Sequence, residues 1–174
     1  MHNLKLVFPD ESYKEQTESY KQEFLEEGEA LINGASGLEL AESFEAWVQS
    51  LKNNLCEETV QKGYVPGTTF LAVTEENKLV GTINIRHRLN DFLLNFGGHI
   101  GYSIRKSERQ KGYGGEMLRL ALEFAKSLNM DKVLITCNKE NTASAKTILH
   151  NGGILEDERE NDGHTVQRYW IDLV

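Results

Sequence analysis

The sequence predicts an α/β (α+β) chain with a mixed, mostly antiparallel central sheet flanked by helices, and three observations carry that prediction. From Thr68 the run TTFLAVTEENKLVGTINIRHRL is rich in β-branched residues and reads as two strands joined by a polar turn. Before it, two stretches place apolar residues at helical spacing. After it, the glycine-rich segment RQKGYGGEM, Arg109 to Met117, joins a mid-chain strand to an amphipathic helix. The element order is β-α-α-β-β-β-α-β-α-β-β.

In chain order, LKLVF at Leu4 to Phe8 reads as a short strand. The charged stretch after Pro9 reads as a helix with Tyr13, Thr17, Tyr20 and Phe24 on one side, interrupted by GASG, Gly34 to Gly37. A second helix spans about Ser43 to Leu55, with Phe44, Trp47, Val48 and Leu51 as its stripe. The hairpin from Thr68 turns at Glu75 to Lys78, and GGHIGYSIR, Gly98 to Arg105, follows as a strand that runs into the glycine segment. The helix Gly114 to Leu128 buries Leu118, Ala121, Leu122 and Ala125. VLITC, Val133 to Cys137, is a buried strand, NTASAKTILHN a helix, and the last 22 residues or so a hairpin turned at Asn161 to Gly163.

Composition bounds the function classes. A chain of 174 residues with 39% hydrophobic and 26% charged residues suits one domain, residues 1–174, with an acceptor-side part at 1–67 and a sheet core at 68–174. No repeat, low-complexity tract or linker divides it. The start MHNLKLVFPDESYKE has no leader pattern and no stretch is long enough to span a bilayer, so a cytoplasmic protein without membrane partners is expected. Cys56 and Cys137 form no CxxC pair. A net charge of -8 argues against nucleic acid as a partner. That charge is uneven: Asp10 to Glu29 holds eight carboxylates and two lysines, whereas Arg105 to Lys111 holds four cations and one acid.

The glycines after the fourth strand suggest an anion site, because a helix start with small residues exposes unpaired amides and the positive end of the helix dipole. The spacing fails the Walker loop, having no lysine followed by serine or threonine, and fails GxGxxG, because Met117 stands at the third glycine. A nucleotide-binding regulatory domain is thereby disfavoured. The pattern Arg/Gln-x-x-Gly-x-Gly/Ala, met by Arg109, Gly112 and Gly114, resembles the GNAT superfamily of acyl-CoA-dependent N-acyltransferases. NTASAKTILHNGG, Asn141 to Gly153, is similar to the family's later Asn-x-x-Ser/Ala helix, and the resemblance covers Thr68 to the C-terminus.

The resemblance implies the acyl-CoA N-acyltransferase fold, splayed between the fourth and fifth strands, with acetyl-CoA as cosubstrate. It implies that amides from Arg109 through Gln110, Lys111, Gly112, Tyr113 and Gly114 to Gly115 cradle the pyrophosphate, with Arg109 as a cation. Tyr102, Ser103 and Ile104 would pair with the pantetheine arm as an added strand does, with Asn141 and Ser144 near its other side. A tight turn with close helix packing is the other reading of the glycines. For Arg105, Lys106 and Lys111, contact with the 3'-phosphate and solvated surface charge stand side by side.

The implied reaction is attack by a primary amine on a thioester. Neutralising an amine of pKa about 10.4 at pH 7 costs about 4.6 kcal/mol, so a base or a water chain helps. The resemblance assigns the oxyanion donor to the Tyr102 amide. Where many members carry a tyrosine acid this chain has Ile148, and Gly153 replaces the usual aromatic. Tyr102 and Tyr113 are substitutes, and the low pKa of a thiol leaving group makes a strong acid a lesser need. His99 is the candidate base, with a half-buried strand histidine as the alternative. His87 reads as a solvated loop residue, and His2, His150 and His164 have no metal-binding spacing, so no metal is implied. Cys137 reads as packing rather than a nucleophile.

The acceptor is expected to be a small-molecule or peptide amine. A cationic one is favoured if the carboxylates of Asp10 to Glu29 turn toward the cleft. A non-catalytic acyl-CoA-binding sensor is the alternative function. Tyr169 and Trp170 serve either the core or the seam of a homodimer.

Overall fold

The computed structural model describes residues 3–174, so His2 lies outside the described residues. Strand β1 (Leu4–Val7) is followed by α1 (Lys14–Glu26), α2 (Phe44–Asn53), β2 (Gly67–Thr74), β3 (Leu79–Arg86) and β4 (Ile100–Ile104). Then come α3 (Tyr113–Ser127), β5 (Lys132–Asn138), α4 (Thr142–His150), β6 (Ile154–Asn161) and β7 (His164–Asp172). The order is the one the sequence predicts. The strands form two antiparallel sheets, β1-β2-β3-β4 and β5-β7-β6, which part between β4 and β5.

Local chemistry explains the element ends. Helix α2 starts at Ser43, whose hydroxyl accepts from the Ala46 N–H at 3.0 Å, and α4 starts at Asn141, whose side chain accepts from the Ser144 N–H at 3.1 Å. Helix α1 stops before the GASG segment predicted to interrupt it. Gly28, at φ +74, lets the Glu29 N–H reach Phe24 O and its own N–H reach Leu25 O, which closes the helix in a Schellman cap. A π-helical turn at Leu93–Gly97, which no sequence signal announced, connects β3 to β4.

The first sheet separates two cores. On one side Ile83, Ile85 and Ile100 meet Met117, Leu118, Ala121 and Ala125 of α3 together with Val133 and Ile135 of β5. On the other, Leu71, Val73 and Leu79 meet Tyr20 and Phe24 of α1 and Trp47 and Leu51 of α2. Trp47 is 1% exposed and its indole N–H donates to Ala35 O at 2.7 Å, so it fixes the loop between α1 and α2 as well as filling the core. Tyr169 is buried in the first core. Trp170 turns the other way, under the Lys132 ammonium at 4.4 Å, with its N–H on Glu156 at 2.9 Å.

Candidate active site

The parting of the sheets opens a cleft of about 480 Å³, within the range of small-molecule sites. One wall is β4 and the turn after it, and the other is the first turns of α3 and α4. Every residue expected at the cofactor lines it, from Tyr102, Ser103 and Ile104 through Arg109, Gln110 and Gly112 to Gly115, Asn141 and Ser144, with one exception. Lys111 is not among the lining residues and pairs with Glu108 at 2.9 Å. Thr147, Ala143, Phe24, Glu29, Leu31 and Asn33 also line the cleft. The loop after α1 contributes three of these, and no motif marked it.

The glycine segment has the backbone an anion cradle needs. Gln110 at φ +62 and Gly112 at φ +83 both lie in the left-handed region, and Gly112 is the cap of α3. A Cβ on Gly115 would meet nothing within 4 Å, and one on Gly114 only Thr147 and Ile104 at 3.8 Å or more. Close helix packing therefore does not require these two glycines.

Strand β4 presents a free edge to the same cleft. Opposite residues of an antiparallel pair alternate between bonded and non-bonded. The Arg105 N–H donates to Val80 O, and Tyr102 stands opposite Ile83. Tyr102 and Ile104 are therefore the residues whose N–H and C=O turn away from β3. The Arg109 Nε accordingly donates to Ile104 O at 2.8 Å from the open side.

The charge imbalance in the sequence resolves into pairs across the fold. Glu23 meets Arg105 at 2.6 Å, Glu27 meets Lys106, and Glu29 meets Arg109 at 3.1 Å. Carboxylates of α1 and its C-terminal loop thus neutralise the cations after β4. Glu108 is 4% exposed between Lys78 and Lys111, which hold its carboxyl below the usual range.

Two expected reactive groups have partners. The Tyr102 hydroxyl lies 2.8 Å from Ser144 Oγ across the cleft, and burial pushes its pKa up to about 12. His99 is 7% exposed and its Nδ1 accepts the Leu134 N–H at 2.9 Å. Burial, with help from Arg86, pushes the His99 pKa down to about 4. A neutral ring accepting at Nδ1 carries its proton on Nε2, so it has no second lone pair to offer. His87, expected in solvent, is half-buried with its Nε2 2.8 Å from Thr68 Oγ1. Ile148 is completely buried, and a Cβ on Gly153 would stand 2.5 Å from its Cγ2. The two departures from the family pattern are therefore one packing unit.

The sequence profile of the acetyltransferase (GNAT) domain matches residues 29–154. Among curated protein sequences none matches the chain. Solved structures do. A provisionally assigned ribosomal-protein-serine acetyltransferase from Vibrio cholerae superposes with a TM-score of 0.68 at 17% identity, covering 99% of this chain and 95% of that one. A chimeric spermidine N-acetyltransferase from Vibrio cholerae gives 0.65 at 15%, covering 98% and 95%. A ribosomal L7/L12 alpha-N-protein acetyltransferase in complex with coenzyme A gives 0.65 at 20%, covering 97% and 93%. At these identities the structures establish the fold, and the profile match establishes the family: the chain belongs to the GNAT acetyltransferases.

Proposed function

We propose that the protein transfers an acetyl group directly from acetyl-CoA to a primary amine. The observation that supports this most is the meeting of the left-handed glycine turn and the free edge of β4 in one cleft. In this reading the amides from Arg109 to Gly115 hold the pyrophosphate, and the dipoles of α3 and α4, both starting at the cleft, favour its charge. The pantetheine arm adds to β4 as a strand would, opposite Asn141 and Ser144. Coenzyme A binding by the L7/L12 relative points the same way.

The amine nitrogen attacks the thioester carbonyl carbon, and the Tyr102 N–H stabilises the oxyanion. Collapse breaks the carbon–sulfur bond, and the proton lost by the amine balances the thiolate. The Tyr102 phenol, kept protonated by burial, offers the departing sulfur a hydrogen bond rather than a proton. His99 is a positioning residue in this account, holding β4 against β5, and the amine proton leaves through water. The carboxylates of α1 and the loop after it that would have favoured a cationic acceptor are paired with Arg105, Lys106 and Arg109, so they lend it little support.

A non-catalytic acyl-CoA sensor is the second reading, favoured by the burial of Ile148 and the occupied Nδ1 of His99. An acetyl-CoA thiol-release assay over an amine panel, with products weighed by mass spectrometry, separates them. Acetylated product supports the enzyme. Tight acetyl-CoA binding without product from any amine would favour the sensor.

A further inference from the structure

Of the seven arginines of the chain, six have a carboxylate partner among the described residues: Arg88, Arg105, Arg109, Arg119, Arg159 and Arg168. Arg86 has none. It ends β3 and is half-buried, and its Nη1 donates to Gly97 O and Gly98 O, both at 3.4 Å, long for such contacts. A guanidinium has five N–H donors, and a half-buried cation without a counter-ion has donors to offer an anion.

Its position gives the vacancy a meaning. A Cβ on Gly101 would stand 3.4 Å from both Nη1 and Nη2, so the guanidinium lies over the bare Cα of the residue before Tyr102. The loop after α1 crosses at the same place, because a Cβ on Gly34 would stand 2.4 Å from Gly101 O and 2.6 Å from the Tyr102 Cα. The glycine turn that would hold the phosphates begins beyond the other end of β4, about 14 Å away at strand rise. Arg86 does not itself line the cleft; it stands behind Gly101 at the end away from the glycine turn, which is the acceptor end in the N-acetyltransferase reading. A fixed positive charge there repels an ammonium and attracts an anion, and a planar fork matches a carboxylate in two contacts.

We propose that Arg86 binds a carboxylate of the acceptor close to its reacting amine, so that the acceptor is a compound built like an α-amino acid rather than a polyamine. The guanidinium itself covers Gly101, so a carboxylate on its outer donors would lie close to a nitrogen held beside Tyr102, one residue on. This rests on the N-acetyltransferase reading and names its substrate class.

The test is an acetyl-CoA thiol-release assay with the common α-amino acids, the same compounds as carboxamides, and spermidine, alongside calorimetry of acetyl-CoA binding. The expected result is an amino acid turned over with kcat/KM about tenfold or more above its carboxamide. Arg86→Met should bring that ratio close to one, chiefly through the KM of the amine, with acetyl-CoA affinity unchanged; Arg86→Lys should retain part of the preference and covers the case in which the methionine variant fails to fold. Carboxamides or spermidine preferred by the wild type, or a ratio that survives in Arg86→Met, would overturn the proposal. So would acetyl-CoA binding with no member of the panel acetylated, which leaves cosubstrate binding intact. Absence of acetyl-CoA binding would instead overturn the underlying reading.

Discussion

The main-chain N–H of Leu134 donates to Nδ1 of His99 at 2.9 Å, while the N–H of His99 donates to Leu134 O at 2.7 Å. This reciprocal pair ties β4 to β5 at the point where the two sheets part, so a side chain does what a ladder would otherwise do. It sets the geometry of the cleft from its closed end.

Because the native ring is held neutral, His99 couples stability to pH. Its folded pKa, about 4, lies below the ordinary 6.5, so the unfolded chain binds the extra proton between those values. The contribution is fully present above pH 6.5 and is lost as pH falls toward 4, at most on the order of 3 kcal/mol. Urea melts of wild type and His99→Ala across pH 4 to 7 should show this limb in the wild type alone. The kcat/KM pH profile of His99→Ala should keep the wild-type shape; loss of the acidic limb, the fall in rate as a base is protonated, would restore the base role.

Glu29 competes for Arg109 with any phosphate the turn receives. The pair is about two-fifths exposed on each side, so it adds little stability, and Glu29→Gln should leave the melting temperature nearly unchanged. Removing this carboxylate from the cleft should tighten acetyl-CoA by a few-fold, by about 1 kcal/mol or less. Weaker binding in that variant would mean that Glu29 orients Arg109 rather than opposing the ligand.

Gly114→Glu tests the cradle more cleanly than Gly112→Glu. A side chain at Gly112 must adopt φ +83, which costs about 1–2 kcal/mol on its own, whereas the Gly114 Cβ position is open. Gly114→Glu should fold as the wild type does and lose acetyl-CoA binding about 100-fold or more, since a carboxylate then occupies the place of a phosphate. Unchanged affinity would place the phosphates elsewhere.

Gly153→Ala should cost about 1–3 kcal/mol in thermal unfolding, because its Cβ would stand 2.5 Å from Ile148 Cγ2 and 2.8 Å from Ile148 O. A neutral effect would show that the α4–β6 junction yields easily.

The order of strands and helices was legible because alternation from Thr68 and the 3.6-residue stripe of α3 are local properties. So was most of the lining of the cleft, since Arg109 to Gly115, apart from Lys111, and Asn141 to Ser144, apart from Thr142, are contiguous stretches of it. The pairing of Glu23 with Arg105 and of Glu29 with Arg109 was not, because partners 82 and 80 residues apart meet only once α1 has crossed the sheet. The partner of His99 is likewise a backbone amide on another strand, which leaves no trace in side-chain identity. Nothing in the sequence distinguishes Arg86; the bare Cα of Gly101 beneath it and the lack of a carboxylate partner among the described residues mark it out.

The proposed acetyl transfer depends on acetyl-CoA entering the cleft between β4 and β5. Calorimetric titration with acetyl-CoA and with CoA, using ATP as control, tests it most directly. Saturable one-to-one binding of acetyl-CoA, weakened by raised salt and abolished in Gly114→Glu, is the predicted result. Absence of binding by both thioester and thiol would mean that the glycines shape only the turn, and would contradict the account.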